Sequence, residues 1–213
     1  SIENAREIIK HHLDSISSDP SSSSMLPPIM LWGPPGIGKS TVIRELTEEM
    51  EIGFIDVRLA QREPVDIRGL PVPREDRSGV DWMVSSEWPR KGDPDVPERG
   101  VILFDELTAA DASLQVAAYE FILDRRLGNL YEVPDGWFIV AAGNRTKDSA
   151  VARTMSSALA NRFCHLELEA NEKAWINWAI HRQVEPSVIA FIRYRPELLL
   201  NMAGNRERGW PSP

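Results

Sequence analysis

With 213 residues, 42% of them hydrophobic and 26% charged, the chain is long enough to bury one medium-sized core and has the composition of a water-exposed globular protein. Its 32 acidic and 24 basic residues leave a formal charge of -8, which argues against a general binder of nucleic-acid backbones, whose affinity rests on clustered Lys and Arg. No apolar run approaches the roughly 20 residues that span a bilayer, the polar start SIENAREIIK is no secretory leader, and Cys164 has no second cysteine to pair with, so the cytoplasm is the expected compartment.

In chain order, Ile2, Ala5, Ile8, Ile9 and Leu13 recur at helical spacing and predict a helix with one buried stripe. His11 and His12 fall near its end, where imidazoles are ordinary. The run SSDPSSSS (17–24) reads as a flexible loop, so residues 1–25 are expected to form an N-terminal helix and Ser-rich linker. Strand candidates follow at IMLW (29–32), FIDVRL (54–59), VILF (101–104), WFIVAA (137–142) and FCHLEL (163–168). Helical patterns lie between most of them, at 39–50 and at DASLQVAAYEFILDRR (111–126). There Asp111 is placed to cap, and Arg125 and Arg126 either line a subunit interface or simply suit the C-terminal end of the helix dipole. Buried strands alternating with helices predict an α/β fold with a parallel sheet covered on both faces, over residues 26–169. Only helical patterns follow, over 170–213.

Two segments interrupt the alternation. LGNLYEVPDGW (127–137) reads as a hairpin. Residues 60–100 form an insert rich in Pro, Gly and charge, in which Leu70, Trp82 and Trp88 either contact a partner or pack the insert onto the domain. Cys164, in an apolar strand, is expected to be buried and inert.

GPPGIGKS (33–40) fits G-x-x-x-x-G-K-[ST] in full, after a strand and opening a helix. The candidate phosphate-binding residues are therefore Gly33, Pro34, Pro35, Gly36, Ile37, Gly38, Lys39 and Ser40, with Thr41 beside them. The glycines let amides turn toward phosphate oxygens, Lys39 reaches the outer phosphates, and the Ser40 hydroxyl is a candidate Mg2+ ligand. VILFDE (101–106) delivers two acids at a strand's carboxyl end, the edge where α/β proteins bind ligands. Asp105 is the candidate metal carboxylate, and Glu106 the candidate base polarising an attacking water. Asn144, ending AAGN, is placed to hydrogen-bond both the terminal phosphate and that water. NRTKD (144–148) lacks the spacing of the guanine-reading N-K-x-D motif, so ATP is favoured over GTP. Arg162, in LANRF, is a cation held where a helical run hands over to a strand.

With these motifs in this order on alternating strands, the chain resembles the AAA+ ATPases, members of the P-loop NTPases. More narrowly it resembles the MoxR-type branch, in which a hairpin precedes the Asn-bearing strand. The resemblance spans about residues 26–200. It implies a five-stranded parallel sheet, a small helical lid, ATP and Mg2+ as cofactors, and a ring or open spiral of copies, expected to be a hexamer, that remodels a partner protein. It makes Asn144 the first sensor and Arg162 the arginine finger that one subunit extends into its neighbour's site. Such a finger is worth roughly 10³ to 10⁵ in rate, or about 4 to 7 kcal/mol of barrier. The branch also suggests a partner bearing a von Willebrand factor A-type domain. A second sensor arginine has no clear counterpart, Arg206 and Arg208 being weak candidates, so either the lid is incomplete within these residues, which is the expected case, or the second sensor is absent. Two alternatives share the core: a nucleotide-gated scaffold with negligible turnover, which would need neither Glu106 nor Arg162, and a DNA-handling ATPase, which the acidic balance disfavours.

Overall fold

The computed structural model describes residues 1–145, 155 and 160–200. In chain order its elements are α1 (Ile2–Ser18), β1 (Ile29–Trp32), α2 (Lys39–Glu49), β2 (Gly53–Arg58) and α3 (Pro64–Arg68). A hairpin of β3 (Leu70–Pro73) and β4 (Val80–Met83) leads to β5 (Gly100–Asp105) and α4 (Ala112–Asp124). A second hairpin, β6 (Arg126–Leu127) and β7 (Tyr131–Glu132), precedes β8 (Trp137–Gly143), β9 (Cys164–Glu167), α5 (Glu172–His181) and α6 (Pro186–Tyr194). The central sheet is five-stranded and parallel, in the order β2-β5-β8-β1-β9.

Its strands are unbroken apolar runs because both faces are covered, and each face takes alternate residues. Ile29, Leu31, Val101, Leu103, Phe138 and Val140 point to one side, where they pack with Ala5, Ile9, Leu13 and Ile16 of α1 and Ile43 and Leu46 of α2. Met30, Ile102, Phe104, Ile139 and Ala141 point to the other, against Ile67 of α3 and Ala117, Phe121 and Ile122 of α4. The α1 stripe runs through Ile16 rather than Ile8, which is exposed.

Four expectations are revised. The Ser-rich stretch is not a loose linker: Pro20–Ser24 form a 3-10 turn capped by the Asp19 carboxylate, and Ser23 is fully buried. The Ser23 hydroxyl oxygen accepts from the Gly136 amide at 3.1 Å, which is how a polar side chain earns a core position. Arg125, at the C-terminal end of α4 as expected, does more than suit the helix dipole. It caps α4 in a left-handed conformation (φ 53) and turns its guanidinium inward, donating to the carbonyls of Trp137 (2.9 Å) and Pro134 (3.3 Å) and to Ser23 Oγ (3.4 Å). Burial lowers its pKa from the ordinary arginine value, an effect that Asp135, Tyr131 and Glu132 oppose. The insert aromatics separate: Trp88 is fully buried between Phe104 and Phe121, with ring centroids 6.2 and 4.6 Å away, whereas Leu70 and Trp82 stay exposed on the β3–β4 hairpin. Cys164 is only partly buried.

After β9, α5 is tied to α2 through Glu45, which accepts from the Trp178 indole at 3.1 Å and pairs with Arg182 at 2.5 Å. Arg206 and Arg208 lie outside the described residues, as does most of the helical run before Arg162.

Hydrogen bonds to a charged donor are worth about 1.5 to 3 kcal/mol each. Arg125→Met, which keeps the stem and removes the donors, is expected to destabilise the fold by about 2 kcal/mol. The measurement is the urea midpoint at unchanged m-value; a midpoint equal to that of the unmodified chain would show that Arg125 does not clamp the 3-10 turn to β8.

Candidate functional site

Parallel pairing at fixed register brings the candidate residues together. Trp32 is opposite Gly143 and Phe104 opposite Ala141, so β1, β5 and β8 end almost level at their carboxyl edge. Residues 33–38 leave β1 there and curl into α2. Gly38, the N-cap of α2, has φ 94 and Gly36 has φ 76, left-handed values that favour glycine. Ile37 is buried in the core and anchors the loop. The amides of Gly36 and Gly38 have no hydrogen-bond partner among the described residues. With the positive end of α2 beside them, they form a cradle suited to phosphate.

Lys39 is only 8% exposed, and a buried ammonium requires acceptors. Those within reach include the carbonyls of Gly33 and Pro34, both at 2.9 Å, and Asn144 Oδ1 at 3.0 Å. The next residue, Ser40, donates its hydroxyl to Asp105 Oδ2. The other Asp105 oxygen accepts from the Glu106 amide at 2.8 Å. Thr41 is exposed on the first turn of α2.

Asp105 closes β5, and Glu106 then takes a left-handed conformation (φ 59) that costs a non-glycine residue about 1 to 2 kcal/mol. The ladder resumes one residue on, where the Leu107 amide reaches Ala142 O at 2.9 Å. Glu106 is thus bulged out of the sheet with an exposed carboxylate, beside an Asp105 whose two oxygens are both engaged.

Arg162 stands apart. It precedes β9, whose first residue Cys164 pairs with Ile29, the first residue of β1. It therefore lies at the amino edge of the sheet, with the length of β1, roughly 10 Å of strand, between it and the phosphate loop of its own chain. Its side chain is 62% exposed and lies 3.9 Å from Asp124 Oδ1.

Sequence reasoning missed three features. Thr108 Oγ1 donates to Asn144 O (3.1 Å) and accepts from Asn144 N (3.0 Å); its only sequence signal is a small hydroxyl residue shortly after the acid pair. The Trp32 indole donates to His165 Nδ1 (2.7 Å) and stacks on its ring, while His165 Nε2 faces Ala160 O (2.7 Å), a pattern that fits the neutral Nε2–H tautomer. A cleft of about 840 Å3 opens beside Gly38 and Thr41 between α1, α2 and α5, walled by Ile2, Ile37, Val42, Trp175 and Leu199.

A glycine-rich loop before a helix, a lysine and a hydroxyl behind it, and an acid pair ending a neighbouring strand define a P-loop nucleotide-binding domain. Residues 29–166 match the family described as "ATPase family associated with various cellular activities (AAA)". The chain belongs to this AAA family of ATPases. No curated protein matches the sequence significantly. Among solved structures the fold is similar to that of a candidate ATPase from Cytophaga hutchinsonii, with a TM-score of 0.51 and 15% sequence identity over 94% of this chain. The chain spans 66% of the length of that protein. Among the described residues, no helix is long and apolar enough to cross a membrane.

Glycine at position 106 would relieve the left-handed strain. Glu106→Gly is expected to raise stability by about 1 kcal/mol, seen as a higher thermal midpoint; an unchanged or lower midpoint would show that the bulge carries no strain.

Proposed function

We propose that the chain hydrolyses ATP with Mg2+ as one subunit of a ring or open spiral, expected to be hexameric, that remodels a partner protein in the manner of the MoxR branch. In this reading residues 26–169 form the nucleotide-binding core, 170–213 the lid, and 1–25 an N-terminal segment. The observation that carries it is the hydrogen-bonded set of Lys39, Ser40, Asp105 and Asn144 with the exposed Glu106 carboxylate beside it.

The loop amides and Lys39 receive the β- and γ-phosphates, and the adjoining cleft accommodates the nucleoside. Ser40 and Asp105 converge as a hard oxygen-donor pair, and among the described residues no group of three or more His, Cys, Asp or Glu could hold a metal. That suits Mg2+, which takes few protein ligands and shares the rest with phosphate and water. Bound there, it would neutralise charge on the β- and γ-phosphate oxygens. Glu106 accepts the proton of the attacking water, and Asn144 orients that water against the terminal phosphate. Arg162, remote from its own loop, supplies the transition-state cation to a neighbouring copy. The MoxR assignment is supported by the β6–β7 hairpin preceding β8, and that branch points to a partner with a von Willebrand factor A-type domain.

Glu106→Gln is expected to bind ATP within about threefold of the native affinity while hydrolysis falls by roughly 10² to 10⁴. Titration calorimetry and phosphate release measure the two quantities, and near-native turnover would overturn the role of Glu106. Arg162→Ala is expected to abolish assembly-dependent hydrolysis, and mixing it with Glu106→Gln copies to restore part of it at interfaces that join an intact Glu106 to an intact Arg162. A mixture that forms hybrid oligomers yet stays inactive would refute the action in trans.

A further inference from the structure

The Thr108 hydroxyl is placed where the sheet can no longer hold Asn144. β8 ends at Gly143, and β5 has left the ladder at Glu106; the last backbone–backbone hydrogen bond between the two segments, among the described residues, is Leu107 N to Ala142 O at 2.9 Å. Asn144 therefore has no strand residue opposite it on that side. Thr108, 2% exposed, fills the position with one side-chain oxygen, which brackets both backbone polar groups of Asn144. A hydroxyl can do this because it has one proton to give and lone pairs to accept with. The approach also requires the glycine before Asn144: a Cβ on Gly143 would lie 2.9 Å from both Thr108 Oγ1 and Cγ2. Beyond the bracket, Asn144 Oδ1 accepts from Lys39.

We infer that Thr108 is a positioning residue for ATP hydrolysis, locking the Asn144 backbone to the loop that carries Asp105 and Glu106 so that the amide and the two acids hold one geometry. The inference rests on the reading of Asn144 as a residue that orients the attacking water. Thr108 itself touches no reacting atom. Its effect falls on kcat rather than on ATP affinity, since the cradle and Lys39 lie on the other side of Asn144. A displacement of about 1 Å at a catalytic group is enough to cost on the order of 10² in rate.

The test uses the full chain, assembled, with ATP and Mg2+, and compares Thr108→Val, which keeps the shape and removes the hydroxyl, with Thr108→Ser, which keeps the hydroxyl. Thr108→Val is expected to lose about 10²-fold in kcat with KM and ATP affinity within about threefold, and Thr108→Ser to recover most of the rate. Adding Thr108→Val to Asn144→Ala is expected to cost nothing further, because a residue acting only through its partner has no effect once that partner is gone. Full turnover by Thr108→Val, or additive losses in the double variant, would overturn the inference. Should Thr108→Val fail to fold, Thr108→Ala removes the same hydroxyl without added bulk and is expected to show the same loss in kcat; unaltered kcat there would also overturn it. Failure of the underlying reading looks different: Asn144→Ala alone would then hydrolyse ATP at the native rate.

Discussion

The geometry of the site depends on the register of β1 between β8 and β9. Ile29 and Leu31 face one helix layer and Met30 the other, so a slip of one residue would invert every side chain of the strand. Burial on both faces thus fixes the register, and the register fixes where the phosphate loop begins. Because Trp32 is level with Gly143, Gly33 leaves the sheet beside Asn144, and Lys39, one loop later, comes within 3.0 Å of the Asn144 side chain. The hydrophobic pattern of four residues therefore determines a polar contact across a sequence separation of more than a hundred.

The two acids at the end of β5 are chemically alike, and the backbone alone divides them. Asp105 is the last residue in the ladder, so its carboxylate turns toward α2 and meets Ser40. Glu106 takes the left-handed conformation that ends the strand, and its longer side chain is exposed to solvent. A carboxylate held by two donors is suited to a fixed ligand role, while an exposed one is suited to accept a proton from water. The strain at Glu106 is local, and the contacts that offset it lie on either side: the Asp105 carboxylate holds its amide and Leu107 rejoins Ala142.

The motif residues were legible in the sequence because loop and acid pair are each contiguous, and the strands because alternating burial leaves unbroken apolar runs. The hairpin before β8 was legible for a similar reason, as Gly and Pro punctuation is local. What escaped reading is contact between remote segments. Ser23 reads as linker because nothing in SSDPSSSS announces the Gly136 amide, which donates both to Ser23 Oγ and to the Pro20 carbonyl. Arg125 looked like a dipole cation because its left-handed backbone, which turns the guanidinium inward, is set by tertiary packing. Trp88 differs from Trp82 only through Phe104 and Phe121, which are remote in sequence and enclose it. Thr108 carries no pattern at all, since one hydroxyl bonding a backbone 36 residues away leaves no periodicity.

Arg162 and the phosphate loop occupy opposite edges of one sheet, and that separation bears on the proposed assembly. The sheet is parallel and buried on both faces, so its strands cannot bend to close roughly 10 Å of distance without breaking the core. The Trp32–His165–Ala160 contacts brace the turn that carries Arg162 against the end of β1 and oppose any such folding back. On the proposed function, then, a lone copy holds the acids, the amide and the lysine but lacks the cation that completes the transition state. On that proposal, the rigidity that positions one half of the site within a chain is also what would make a neighbouring chain necessary for the other half.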